Sequence, residues 1–195
     1  MVSTKRQRTT TRILAAGAVA LLGVGAWAAS ASEQRPATRP EPPAPQAQAQ
    51  VKPPRIDLVF ALDTTGSMAG LLTGAKRKVW AIANKVISGQ PRPDVRIGLV
   101  AYRDHGDEYV TRSFPLTKDM DTVQEALLTF QANGGGDAPE HVNQALADAI
   151  RTMEWERGQD VLKLLFLVGD APPQEGLDGL TSESLAMEAK QAGIL

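Results

Sequence analysis

A nearly unbroken apolar run, Ile56-Asp57-Leu58-Val59-Phe60-Ala61-Leu62, passes directly into Asp63-Thr64-Thr65-Gly66-Ser67. This junction constrains the fold more than any other stretch. Apolar residues without alternation mark a strand covered on both faces, as in a parallel sheet. The polar turn then places an acid and two hydroxyls at i, i+2 and i+4, where the strand gives way to a helical pattern starting near Met68. Small oxygen side chains on such a turn suit a hard cation or a phosphate.

The rest of the chain alternates in the same way. Leu71, Leu72, Ala75, Val79, Ile82, Ala83 and Val86 form a helical stripe that ends at Ser88-Gly89. Val95 to Tyr102 reads as a second strand, Arg103 to Glu108 as a polar turn, and Tyr109 to Phe114 as a short edge strand. Met120, Val123, Leu127 and Phe130 mark a helix capped by Thr117 or Asp119. A Gly-rich loop, Asn133 to Gly136, precedes the helix that carries Val142, Ala145, Leu146, Ala149, Ile150 and Met153. Val161 to Val168 is a further buried-type strand, closed by Gly169-Asp170-Ala171-Pro172-Pro173, and a last helix spans Thr181 to Ala192. Strand–helix alternation implies an α/β fold with a mostly parallel, Rossmann-like sheet flanked by helices. The sequence stops at Ile194-Leu195, where a fifth strand is expected, so the expectation is a domain cut short after its fourth strand and following helix.

Two segments precede this domain. Residues 1–31 read as an export signal: Lys5, Arg6, Arg8 and Arg12 form a basic region, Ile13 to Ala29 is apolar, and Ala29-Ser30-Ala31 fits a cleavage site. An uncleaved N-terminal anchor is the alternative, and the only membrane attachment expected; either places the domain outside the cytoplasm. Residues 32–55 hold seven prolines and almost no large apolar side chain, the composition of an extended linker. The globular region is then 56–195. Of 21 basic and 22 acidic residues, 8 and 2 lie in the first 55, which leaves this region 13 basic and 20 acidic, a net charge of −7. That balance argues against a nucleic-acid partner. With no cysteine, disulfides, thiol catalysis and Cys-ligated metals are excluded.

In open α/β sheets, ligands bind at the carboxyl ends of the strands. Asp63, Thr65 and Ser67 fall there, as does Asp170; Asp137 and Glu140 stand where the Gly-rich loop meets a helix, and Asp104 follows the second strand. Carboxylates gathered in one crevice stay ionised only beside a cation, or if some of them take up protons. Oxygen donors without sulfur or a placed imidazole select Mg²⁺, Mn²⁺ or Ca²⁺. Plainer roles compete. Asp137 and Glu140 have the spacing of a capping box, Thr65 or Ser67 suits a helix N-cap, and Asp170 before two prolines suits a turn. His105 and His141 read as solvated side chains.

The three motifs, in this order, resemble the von Willebrand factor type A domain and its metal-ion-dependent adhesion site. The likeness covers 56–195 and rests on Asp63-Thr64-Thr65-Gly66-Ser67, on Gly-Gly-Gly-Asp-Ala-Pro-Glu at 134–140, and on Val168-Gly169-Asp170-Ala171-Pro172. Val100-Ala101-Tyr102-Arg103-Asp104-His105 is similar to a segment of the bacterial and alpha-kinase-linked branch, and the Asp-Ala-Pro-Glu stretch to the integrin β-subunit domain. The resemblance implies Thr65 and Ser67 as direct ligands, Asp63 and Asp170 acting through water, and Glu140 in the middle-loop position. It implies a neighbouring second cation site at Asp104, Asp137, the Pro139 carbonyl and Glu140, although Gly135 stands where integrins use an Asn. It further implies a bound protein whose Asp or Glu completes the cation's shell, and a binding role in place of catalysis. The rival expectation is a haloacid-dehalogenase-type phosphoryl-transfer enzyme, with Asp63 as nucleophile and Asp170 on magnesium. Such enzymes place a second acid two residues after the nucleophile, or a Lys beside it; here Thr65 and Thr64 stand there.

Overall fold

In the computed structural model, β1 (Arg55–Asp63) is the axis of a four-stranded sheet ordered β3-β2-β1-β4. The structure describes residues 52–136 and 140–195. The expected export signal, most of the linker, and Asp137 with Pro139 lie outside the described residues.

β1 pairs in parallel with β2 (Asp94–Tyr102) on one side and with β4 (Val161–Val168) on the other. Helices packed on both of its faces explain why its sequence does not alternate. Leu58, Phe60 and Leu62 join Ile97, Leu99 and Ala101 beneath α1 (Leu72–Ile87) and α2 (Met120–Thr129). Val59, Ala61, Val100 and Tyr102 face the other way, onto Val142, Ala145 and Ala149 of α3 (Val142–Arg151). α4 (Ser182–Gln191) adds Leu185 to a smaller cluster with Ile150 and Ile194. Ile194 and Leu195 run alongside β4: Leu195 N donates to Lys163 O, and Leu165 N to Leu195 O. β4 is less covered than its apolar sequence implies, since Leu162, Phe166 and Leu167 are exposed.

The structure corrects four local expectations. A 3-10 turn (Gly66–Gly70) stands between β1 and α1, and Thr65 makes no side-chain cap bond there. The edge strand β3 (Thr111–Thr117) lies further along the chain than expected and pairs antiparallel with β2, because Tyr109 turns inward to bond Thr64. Glu140 is no partner in a capping box: α3 begins at Val142 with His141 as its N-cap, so Glu140 precedes the helix, where its backbone pairs with the loop after β4. His141 is buried, whereas His105 is exposed as expected. Asp119, by contrast, caps α2 by accepting from the N–H groups of Asp121 and Thr122, as its spacing implies.

Candidate metal centre

The parallel pairing brings the ends of β1, β2 and β4 to one edge of the sheet. Ligand oxygens of Asp63, Glu140 and Asp170 lie within 4.8 Å of one another there. Asp63 is the last residue of β1 and is fully buried. Its Oδ1 accepts from the Thr65 N–H at 2.8 Å, which fixes the acid against its own turn. Glu140 is held by its backbone: its N–H donates to Pro172 O, and its carbonyl accepts from Gln174 N–H. That pairing carries a middle-loop acid to the end of β4.

The oxygens crowd beyond what their protons can serve. Thr65 Oγ1 lies 2.7 Å from Asp63 Oδ1, 2.9 Å from Glu140 Oε1 and 2.9 Å from Ser67 Oγ, and Ser67 Oγ lies 3.0 Å from Asp170 Oδ1. Two hydroxyl protons face four contacts. Among the described residues, the far oxygens of Asp63 and Glu140, Oδ2 and Oε2, are buried with no hydrogen-bond partner, and so is Asp104 Oδ2. Buried polar atoms rarely remain unpartnered, and buried charges are paired or coordinate a metal. The donor set is all oxygen, its floor is buried, and Ser67 and Asp170 are exposed at the rim. These residues fit a hard divalent cation.

Without a cation, protons take its place. The Glu140 carboxyl is pushed up to about 8, first by burial, then by the facing Asp63, and further by the charge of Asp104. The Thr65 hydroxyl opposes this only in part. A proton on Glu140 lets it bond to Asp63; an ionised pair leaves both far oxygens unpartnered. The Tyr102 phenol is held far above its usual range by burial and by the charges of Asp63, Glu140 and Asp170.

Asp104 sits on the wall of the same depression, with Thr65, Ser67, Glu140 and Asp170. Its Oδ1 lies 3.3 Å from His141 Nδ1. The clustered set of three acids does not include it among the described residues. Two neighbours escaped the sequence analysis. Tyr102 ends an apolar strand with its hydroxyl 3.5 Å from Val168 O. Gly169 leaves room for it: a Cβ there would lie 2.2 Å from the Tyr102 hydroxyl oxygen and 3.2 Å from Asp63 Oδ2. A polar tip at the end of an apolar strand was a readable signal for Tyr102.

Residues 57–191 match the sequence profile of the von Willebrand factor A domain. The chain belongs to the von Willebrand factor A family. Von Willebrand factor A domain-containing protein 7 of Mus musculus is 33% identical over 137 residues, or 70% of this chain. The match spans 14% of that relative's length. Among solved structures, a conserved hypothetical protein, BatB, from Bacteroides thetaiotaomicron is similar at a TM-score of 0.55 and 16% identity, covering 71% of this chain and 63% of that one. Proximal thread matrix protein 1 from the mussel byssus, a structure described as having a zinc-occupied MIDAS motif, is similar at a TM-score of 0.57 and 15% identity, covering 73% and 37%. These likenesses establish a von Willebrand factor A fold. None of these relatives supports the phosphoryl-transfer alternative.

Proposed function

We propose that this von Willebrand factor A domain is an exported protein-binding module that works through a divalent cation, Mg²⁺ or else Mn²⁺ or Ca²⁺. Thr65 and Ser67 hold the ion directly; Asp63, Glu140 and Asp170 surround it. Two neutral hydroxyls in the shell leave the ion short of negative charge, and so attractive to an incoming carboxylate. The partner supplies that group as an Asp or Glu side chain. The observation that carries this reading is the set of buried, unpartnered oxygens on Asp63 and Glu140 beneath an open depression. The zinc named in the mussel protein's adhesion site is consistent with it. The export signal at 1–31 and the acidic balance of 56–195 favour an extracytoplasmic protein partner over a nucleic acid.

Isothermal titration of the purified chain with Mg²⁺ and Mn²⁺ tests the site. The wild type is expected to bind one ion and Asp63→Ala none. Equal heats from both proteins would remove the site. Titration of the loaded protein with an Asp-containing peptide, repeated in EDTA, then tests the partner chemistry: binding is expected only with the ion present.

A further inference from the structure

Arg103 follows β2 directly and is only 4% exposed. A buried guanidinium is costly to keep unless its charge and donors are compensated. Among the described residues, the carboxylate that reaches it gives little: Glu108 lies 3.5 Å away with a side chain that is 76% exposed. The donors go to the backbone. Nε donates to Thr64 O at 3.1 Å, and Nη2 donates to Gln131 O at 2.9 Å. The guanidinium plane lies over the Tyr109 ring, 4.4 Å from its centroid. The Thr64 hydroxyl donates to Tyr102 O, so the Tyr109 hydroxyl donates to Thr64 Oγ1.

Those carbonyls belong to two of the loops that build the metal centre. Thr64 lies between Asp63 and Thr65, and Gln131 opens the Gly-rich loop that leads to Glu140. The same loops meet again nearby. Asn133 N donates to Thr64 O, and Gly66 N to Gly134 O. Asp107 closes the remaining gap, its Oδ2 accepting from Asp104 N at 3.1 Å and from Gly135 N at 2.8 Å.

We infer that Arg103 is a positioning residue for the cation: it fastens the Asp63–Ser67 turn to the Gly-rich loop, so the ion meets oxygens already in place. The inference rests on the cation-binding reading above. Its chemistry requires Arg. A planar fork reaches two carbonyls on different loops while its face stacks on Tyr109; an ammonium is a point charge that cannot do all three. Asp107 is the second fastening of the same loop.

Mn²⁺ titration of this chain as wild type, Arg103→Lys, Asp107→Ala and Thr181→Ala tests this, at a temperature where circular dichroism shows each variant folded. Thr181 caps α4, away from the site, and its variant is expected to lower the melting temperature alone. The dissociation constants of Arg103→Lys and Asp107→Ala are expected to rise about tenfold or more, as for other residues that orient metal ligands. That of Thr181→Ala is expected to match the wild type. The inference fails if folded Arg103→Lys binds like the wild type, or if Thr181→Ala weakens binding as much. Should Arg103→Lys not fold, Asp107→Ala decides by the same criterion. A wild type that takes up no Mn²⁺ would instead remove the site itself, before any variant is compared.

Discussion

Thr65 shows how much one side chain is asked to do. Its hydroxyl has one proton and three oxygen neighbours, from Asp63, Ser67 and Glu140. The sequence made it a candidate ligand or a helix cap; the structure finds no cap bond and a place beside two buried acids. Glu140 carries the pH consequence. Its carboxyl is raised from an ordinary 4.5 to about 8 in the folded protein. Between those values the folded state holds a proton that the unfolded state has released, so metal-free stability falls as pH rises. A cation displaces that proton, so its affinity should climb over the same range and level off above about pH 8. Mn²⁺ titrations at pH 6, 7 and 8 check this. Glu140→Gln, with no proton to lose, should flatten the stability profile. His141 looks solvated in sequence because its neighbour Asp104, 3.3 Å from its Nδ1, is distant in the chain; in the fold it is buried.

At the scale of elements, the strands and helices were largely legible and their joints were not. β1, β2 and β4 declared themselves by apolar runs, and α3 by its stripe, because those signals are local and periodic. The joint between β1 and α1 reads as plain helix from Met68, yet holds a 3-10 turn that lets Ser67 face Asp170. Asp137 to Glu140 matches a capping box in spacing alone; strand-like pairing of Glu140 with Pro173 overrides the box in the structure. The glycine loop gives a direct test. Gly134 and Gly135 both adopt left-handed backbone, with φ of 70° and 75°, and a Cβ on Gly135 would come within 3.0 Å of the Thr65 Cβ. Gly135→Ala should therefore destabilise the fold by about 1 kcal/mol or more and weaken the cation site beside it. Gly136→Ala, with open space around its Cβ and no left-handed backbone, should do neither. Thermal melts and Mn²⁺ titration of the pair separate the two cases.

For the whole molecule, the sheet order decides where chemistry happens. Placing β1 between β2 and β4 gathers Asp63, Asp104 and Asp170 from positions far apart in the chain. A ligand that binds only this assembled edge must stabilise the entire fold. Cation at 100 times its dissociation constant should add about 2.7 kcal/mol, or roughly 10 °C in melting temperature for a domain of this size. Differential scanning calorimetry with Mg²⁺ against EDTA measures this. Asp63→Ala should show no such shift, although removing a buried acid changes its baseline stability. The same edge also faces outward, so the site has both a buried floor and an open rim.

The sequence by itself determined the α/β class, the strand ends on which the acids stand, the family, and the chemical type of the donor set. The class, the strand ends and the donor type are written in local patterns of apolar period and oxygen side chains; the family is carried by the resemblance of the three ordered motifs. Only the tertiary structure decided which acids share a site, because proximity between residues 63, 140 and 170 depends on strand order and on one backbone pairing after β4. It also decided the role of Arg103. In sequence, an Arg after a strand is a surface charge; it becomes a fastening only when two distant loops offer their carbonyls to the same guanidinium.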